Sequence, residues 1–433
     1  MRKDNMLDEL LHRIPEPIYH NDDANFLSEA DYYGASRLIA EQLRIKNVPF
    51  SWAGWRHGWI HIPLKYKQQL TVWGKDDEHF LVAQEEHVNF LAHHKIKATA
   101  VGMPFIYAEA IDAKLRVPNT LLVMPQHTTP HVPNVGNEEQ YIKDIEKIRH
   151  DFDEVVFCIH HSCYEHGIWP ELLKKYNYPM IIGASANQTN AIIRLQHIFS
   201  SFEFVTTNTI GSHLPYAAYC GAKVSIYGKF SDFSNYKFDN DPYAKANQDL
   251  FVFMIQHTTE QYVRQLIPFL FCKHPKHAQQ SISWAQEELG LRNKKPVEEI
   301  AQILGWNDDN YQHQMAAAKL TRLKNQQKEL TLDSVCTMLD LAKEYSNNFA
   351  IYGAGTIGVM LLKVLTTSNL RPLYIFDKQY QQLSELDGVP VLNPDNISNL
   401  ALDLILVASF AHKEEIEKYI VSIDSKILIW TVN

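Results

Sequence analysis

A positive net charge, paired cysteines and long apolar runs are all missing from this chain. The net charge of −9 argues against a protein that binds nucleic acid through a bulk positive field. The five cysteines form no CxxC pair, and such a scattered set is typical of reduced thiols rather than of a disulfide framework. No stretch reaches the roughly 18 apolar residues of a membrane span, and acids and prolines interrupt the N-terminus before a signal-peptide core can form. We therefore expect a cytoplasmic protein without a nucleic-acid partner.

What the chain does contain is an alternation of short apolar runs with helical patterns. The runs HFLVAQ, KATAVG, LLVMPQ, EVVFCIHH, PMIIGAS, FEFVTTN and KVSIYG have the length and composition of buried strands. Strands separated by helices favour parallel sheets, so we predict an α/β fold. At 433 residues the chain is long enough for two or three domains. The expected segments are two α/β domains at 1–118 and 119–300, a helical connector at 301–346 and a small Rossmann-like module at 347–433.

A glycine motif opens the last segment. Gly353, Gly355 and Gly358 form GxGxxG between a strand pattern and a helix pattern, and Asp377 ends the next strand about twenty residues further on. Such a loop brings a phosphate close to the backbone and to the free N–H groups of a helix start, while the acid holds ribose hydroxyls. NAD(P) or another nucleotide is the expected ligand. The alternative is that the three glycines serve packing only.

Histidines follow two strand patterns of the second segment. His127 comes directly after LLVMPQ, and His160 and His161 come directly after EVVFCI. In a parallel sheet these positions are carboxyl ends of strands, where ligands bind. A zinc site is the alternative, but the spacing lacks the HxxxH helix or the Cys/His pairs that fix tetrahedral geometry. We therefore expect a polar ligand at these histidines and no metal.

The stretch TTNTIGSHLPYAAYCG indicates a strand end, a turn and a short helix. A proline in the first turn and a glycine past the end agree with the usual asymmetry of helix termini. Thr209, Gly211, Ser212 and His213 then lie at the helix N-terminus, where free N–H groups and the helix dipole attract anions. A protonated His213 would add positive charge. We expect a phosphate here, and the alternative is that Ser212 only caps its helix.

The motifs up to this point resemble those of the GT-B glycosyltransferases of capsule and surface-polysaccharide assembly and of their polyol-phosphate transferase relatives. The matching features are HG at His57 and Gly58, LVAQEEHVNFL, VGMP at 101–104 and GAKVSIYG. The resemblance implies two Rossmann-like domains facing a cleft, with a nucleotide-sugar donor on the second domain and a glycan or lipid-linked acceptor on the first.

The same resemblance assigns two histidines to the reaction. It implies that His57 is the acceptor-side base, a role that suits a side chain titrating near neutrality. It also implies that Ser212 and His213 hold the departing phosphate. The alternative for His57 is a structural side chain wedged among neighbouring tryptophans. No convincing DxD motif is present, so we expect a metal-independent reaction.

The C-terminal YGAGTIG and FD motifs resemble the small Rossmann modules appended to bacterial sugar-modifying and polysaccharide-assembly proteins. The resemblance implies a sugar context. Separately, FLFCKHPKH is apolar and then basic, which allows a peripheral contact with the inner membrane or with other polysaccharide-assembly proteins; the alternative is a buried helix with a solvated end. Two other functions stay open. One is an NAD(P)-dependent sugar-nucleotide oxidoreductase or sensor that uses the GAGTIG loop, and the other is a non-catalytic assembly protein whose C-terminal unit docks a partner.

Overall fold

The computed structural model describes residues 3–19, 28–71, 79–127, 136–233, 242–312, 314–316, 332–345, 348–409 and 412–431. The chain divides into two compact units, Met1–His313 and Gln314–Asn433. Both are built of parallel strands and helices, which confirms the predicted α/β, Rossmann-like class. No helix of the described residues is long and apolar enough to cross a membrane.

The first unit holds two parallel sheets. Its described strands are β1 (Ala53–Trp55), β2 (His79–Val82), β3 (Ala98–Ala100), β4 (Val117–Met124), β5 (Glu154–Ile159), β6 (Met180–Ile182), β7 (Phe202–Thr207) and β8 (Lys223–Ile226). One sheet has the order β1-β2-β3 and the other the order β6-β5-β4-β7-β8. Each apolar run that the sequence predicts as a strand in this part forms one. The central strands are buried along most of their length because parallel sheets are covered on both faces.

Short helices connect and cover these strands. They are α1 (Lys3–His12), α2 (Ala35–Gln42), α3 (Glu85–His93), α4 (Glu138–Glu146), α5 (His161–Glu165), α6 (Ile168–Lys175), α7 (Ala191–Ser201), α8 (His213–Tyr219), α9 (Pro242–Ala246), α10 (Gln248–Gln256), α11 (Glu260–Leu266), α12 (Ile282–Glu288) and α13 (Val297–Ile303). The predicted helix start at His213 is found, and Gly221 follows its end with a φ of 86°. A left-handed residue at this place is the usual way to terminate a helix.

One hydrophobic core joins the two sheets. Trp55 of β1, Phe105, Phe199 and Leu214 belong to the same buried cluster. The rings of Phe105 and Tyr216 stack with centroids 4.1 Å apart. Residues 1–118 and 119–300, which the sequence suggests as separate domains, therefore lie in a single compact unit.

The beginning of the expected connector belongs to this unit as well. Leu304 and Trp306 lie in the shared core, and the indole N–H of Trp52 donates to the carbonyl of Ile303 at 2.8 Å. Residues 317–331, the middle of the expected connector, lie outside the described residues.

The second unit is a doubly wound sheet. Its described strands are β9 (Phe349–Tyr352), β10 (Tyr374–Phe376), β11 (Glu385–Leu386), β12 (Val389–Leu392), β13 (Leu404–Val407) and β14 (Leu428–Thr431), and its described helices are α14 (Leu332–Glu344), α15 (Thr356–Thr367) and α16 (Lys413–Ile423). The order is β11-β12-β10-β9-β13-β14, with only the β11–β12 pairing antiparallel. Leu361 of α15 packs on one face, and Ile420 of α16 packs on the other.

Candidate functional site

The candidate site lies at the carboxyl edge of the five-stranded sheet, where the loop after β1 meets the loop after β7. The backbone N–H of Trp59 donates to the Ser212 hydroxyl oxygen at 2.9 Å. The Tyr216 hydroxyl, one turn into α8, donates to the carbonyl of His57. The carboxyl ends of the two parallel sheets of the first unit are thereby brought together, which is the position where α/β proteins bind ligands.

Three of the expected donor-side histidines, His127, His160 and His213, form one cluster at this edge, the histidine cluster. The rings of His127 and His160 stack with centroids 4.7 Å apart. Burial lowers the pKa of His160 to about 3, and His127 and His161 contribute to the shift. Burial also lowers the pKa of His213 to about 3, with a contribution from His127. His160 and His213 are therefore neutral near pH 7, whereas the sequence analysis expects a protonated His213.

His161 is turned toward a different part of the unit. Its Nε2 lies 3.2 Å from the Glu165 carboxylate, one turn along α5, and its ring is 6.2 Å from that of Tyr19. We infer that His161 ties the N-terminal segment to α5 and stands at the margin of the histidine cluster.

Several buried polar atoms near the histidine cluster can still form hydrogen bonds. Among the described residues, the Thr209 hydroxyl, the Gln126 side-chain nitrogen and the Nε2 of His213 are buried without a hydrogen-bond partner. Thr209 and Gln126 are almost fully buried, at 3% and 2% exposure. Burying such groups unpaired costs free energy, so native proteins keep them mainly where a ligand or water completes the bonds. The arrangement is typical of a site for a polar ligand.

The side chain of Ser212 does not cap α8. Its side chain makes no capping hydrogen bond to the first turn of α8, and its oxygen accepts the Trp59 N–H instead. Gly211 leaves room for the neighbouring histidine, because a Cβ at this position would stand 2.9 Å from the Nδ1 of His213. The loop after β7 therefore fixes both the contact with the β1 loop and the place of the His213 ring.

His57 is the second residue after β1 and lies close to a buried carboxylate. Its Nδ1 lies 3.3 Å from Oε1 of Glu29, a side chain that is only 2% exposed. The His57 ring packs against the rings of Tyr33 and Tyr32, with centroids 4.7 and 5.9 Å away. The contact lies outside hydrogen-bond geometry, but a carboxylate this close favours a proton on Nδ1 by its charge, and Nε2 is then left to accept one.

The neighbouring tryptophans make other contacts. The indole N–H groups of Trp52, Trp55 and Trp59 donate to the carbonyls of Ile303 and Gly102 and to the carboxylate of Glu288, respectively. These bonds direct the three indoles into the packing between elements, and they leave the histidine with the tyrosines and Glu29.

Glu29 is a site residue that the sequence motifs do not reveal. It opens a short 3₁₀ segment, Glu29–Gly34, which begins with a capping box at Ser28. The Ser28 hydroxyl donates to the carbonyl of Ala53 in β1 at 2.6 Å, and the Tyr33 N–H donates to the carbonyl of Ala186 at 2.9 Å. The segment is thus held between β1 and the loop after β6.

Residues 30–47, ADYYGASRLIAEQLRIKN, have the apolar spacing of one helix, but the helix breaks at this segment. Tyr33 and Gly34 have φ values of 58° and 77°, and α2 starts only afterwards. A Cβ at Gly34 would stand 1.9 Å from the carbonyl oxygen of Thr189. Only glycine permits both the left-handed backbone and this close approach.

The glycine loop of the second unit combines packing glycines with one open position. Gly353 has a φ of 110°, and a Cβ at Gly358 would stand 1.9 Å from the Gly353 oxygen, whereas no described residue lies within 4 Å of a Cβ at Gly355. The two carboxylate oxygens of Asp377 accept the N–H groups of Ala354 at 2.7 Å and Gln379 at 2.8 Å. Asp377 therefore bonds to the loop itself, and a ribose hydroxyl would have to share its oxygens.

The described residues contain no group of three His, Cys, Asp or Glu side chains that could hold a metal ion.

Comparison with known proteins adds one family match and distant structural likenesses. The family described as C2185-like, N-terminal matches residues 345–429, which lie in the second unit. No curated protein matches the chain.

Among solved structures, the chain is similar to the UDP-GlcNAc 2-epimerase of Neisseria meningitidis bound to UDP-GlcNAc, at 13% identity and a TM-score of 0.30, over 70% of this chain and 89% of that one. It is similar to S. aureus MnaA with UDP at 11% identity and a TM-score of 0.27, over 68% and 89% of the two chains. For the GtfA/B complex the values are 11% and 0.22, over 52% and 46%. Likenesses this distant do not bear on the reaction, so the function has to be argued from the site.

Proposed function

We propose that the first unit is a glycosyltransferase of the GT-B type, which moves a sugar from a nucleotide-activated donor to a hydroxyl of a glycan or lipid-linked acceptor. One observation carries the proposal: the His57–Glu29 pair at the end of β1 is held opposite the polar, incompletely hydrogen-bonded cluster at the end of β7. A base and a site for a polar ligand thus lie on two loops that contact each other, the loop after β1 and the loop after β7. The setting in surface-polysaccharide assembly rests on the resemblance of the sequence motifs.

In the proposed reaction His57 activates the acceptor. The acceptor hydroxyl transfers its proton to Nε2 of His57 while its oxygen bonds to the anomeric carbon. The bond between that carbon and the phosphate oxygen breaks, and its electron pair leaves with the nucleotide. The buried Glu29 carboxylate stabilises the imidazolium that forms, because the two charges lie 3.3 Å apart in a place shielded from water.

The donor lies on the loops after β4, β5 and β7 in this proposal. Thr209 offers its unpartnered hydroxyl, and Gly211 and Ser212 belong to the loop whose backbone approaches the phosphate. His160 and His213 are neutral hydrogen-bonding groups in this role, because burial suppresses their charge, and His127 is a further donor-contact residue. No resident metal is part of the proposal, so protein groups have to neutralise the leaving group.

A binding screen tests this function. Purified protein is melted in the presence of UDP-, GDP-, CDP- and CMP-linked sugars, because a ligand that binds only the native state raises the melting temperature by mass action. We expect one class of nucleotide sugar to stabilise the protein and His213→Ala to abolish the effect. Gly355→Ala, in the other unit, is the matched control and should leave it intact. If no sugar nucleotide shifts the melting temperature, the proposal is wrong.

A second candidate function rests on the open position in the second unit. Gly355 precedes the twelve-residue helix α15 with free space around it, which would admit a phosphate. NAD(P)-dependent oxidation or sensing of a sugar nucleotide would use this loop. The same screen with NAD and NADP distinguishes the two functions, because stabilisation by a dinucleotide alone, abolished by Gly355→Ala, would move the chemistry to the second unit.

A further inference from the structure

Arg56 places a positive charge beside the His57–Glu29 pair. It follows β1 directly, and its guanidinium nitrogen lies 3.8 Å from the Glu29 carboxylate. The side chain is 20% exposed, and its Nε is buried with no hydrogen-bond partner among the residues described. The guanidinium also folds over Gly58, where a Cβ would stand only 3.2 Å from it. A charge held this far from water is costly unless it is paired and hydrogen-bonded.

The charge of Arg56 is directed into the contact between the loop after β1 and α8. It acts on Tyr216 in α8, on Tyr33 above His57 and on His87 in α3: it opposes the burial-driven rise in the pKa of both tyrosines and helps to lower the pKa of His87. The Glu29 carboxylate is its near counter-charge, yet both Glu29 oxygens are buried without a hydrogen-bond partner in the part of the chain that the structure describes. Glu29 therefore holds the Arg56 guanidinium in place, and the guanidinium can still donate hydrogen bonds.

We propose that Arg56 binds the phosphate adjacent to the sugar in the nucleotide-activated donor and neutralises the charge that develops on this phosphate as the sugar leaves. The inference rests on the proposed function. A planar guanidinium presents paired N–H donors that match phosphate oxygens. The neutral His160 and His213 cannot supply that positive charge. In the absence of donor, Glu29 holds the guanidinium in place.

The test measures binding of nucleoside diphosphates by titration calorimetry. UDP, GDP, CDP and ADP are each compared with their nucleosides on wild type, Arg56→Gln and Arg56→Lys. Arg37→Gln is the control, because Arg37 is an exposed arginine with its own carboxylate partner, Glu41, at 2.8 Å. We expect Arg56→Gln to weaken the diphosphate that wild type binds by about tenfold to a hundredfold, the range of a charge-assisted hydrogen bond. The nucleoside should change by less than about twofold, and Arg56→Lys should lie between.

The outcomes separate this inference from the proposed function. If wild type binds a diphosphate and Arg56→Gln binds it equally well, the inference is wrong and the proposed function survives. An equal loss for diphosphate and nucleoside also overturns it, since Arg56 would then act only through the fold. If wild type binds none of the four diphosphates, the inference is wrong, whereas the proposed function is decided separately by the screen with nucleotide sugars.

Arg56→Gln leaves Glu29 as an unpaired buried charge and could unfold the site. The double variant Glu29→Gln, Arg56→Gln removes both charges together and avoids that penalty. We expect the double variant to fold and to show the same selective loss of diphosphate affinity. Wild-type affinity in a folded double variant would overturn the inference.

Discussion

Replacing Gly34 with alanine should loosen the segment that carries Glu29. The new Cβ would stand 1.9 Å from the Thr189 oxygen, although Cβ contacts essentially never fall below 3.0 Å. The backbone must therefore separate by about 1.1 Å, and overpacking of this kind costs about 1–3 kcal/mol. The left-handed φ of 77° adds about 1–2 kcal/mol for any L-residue with a side chain.

A second glycine isolates the contact from the backbone conformation. Gly167 has the same φ of 77°, but nothing lies within 4 Å of its Cβ position. Gly167→Ala therefore carries only the conformational cost. The difference between the two variants should equal the contact cost of about 1–3 kcal/mol.

Amide hydrogen exchange measures this difference at the site. The Tyr33 N–H is protected by its bond to Ala186, so its exchange reports the opening of the segment. Since 1.4 kcal/mol is a factor of ten, Gly34→Ala should speed exchange in this segment by about 5-fold to 100-fold beyond any change in Gly167→Ala. Equal exchange in the two variants would refute the claim that a close backbone contact holds Glu29 in place.

Two further predictions concern other parts of the chain. In the second unit, Gly358→Ala should destabilise the protein by about 1–3 kcal/mol and speed amide exchange across β9, because its Cβ would meet the Gly353 oxygen. Gly355→Ala is the control and should not speed exchange; equal effects of the two variants would contradict the packing. In the first unit, the pKa of His213 is lowered to about 3, so its stabilising contribution is complete above its unfolded pKa of about 6.5 and is lost as pH falls toward 3. The melting temperature of His213→Asn should therefore fall less between pH 7 and pH 5 than that of wild type. His150→Asn, at an exposed histidine, is the control and should follow wild type. A fall for His213→Asn as large as that of wild type would contradict the lowered pKa.

Most strands of this chain could be predicted because each is a short apolar run with turn residues at both ends, but β1, β11 and β12 are not among the predicted runs. Burial on both faces of a parallel sheet leaves that signal in the local sequence. The glycine turn at Gly353 and the start of α8 at His213 are local for the same reason. Their outlines follow from a few neighbouring residues.

The constellation around His57 is not local and could not be predicted in that way. Glu29 and His57 are 28 positions apart, and the segment that joins them depends on contacts with Thr189 and Ala186. The helical pattern of residues 30–47 hides a break at Gly34 that only this tertiary contact explains. The neutral state of His213 likewise follows from burial among side chains that arrive from other strands.

Turnover by a His57 variant tests the central claim most directly. The nucleotide sugar found in the screen is incubated with wild type and His57→Gln, water serves as the acceptor, and release of free nucleotide is followed by mass spectrometry. The account predicts a fall in kcat of about 10²–10⁴, the usual contribution of a general base, with donor affinity unchanged. Release at the wild-type rate by a folded His57→Gln protein would contradict it.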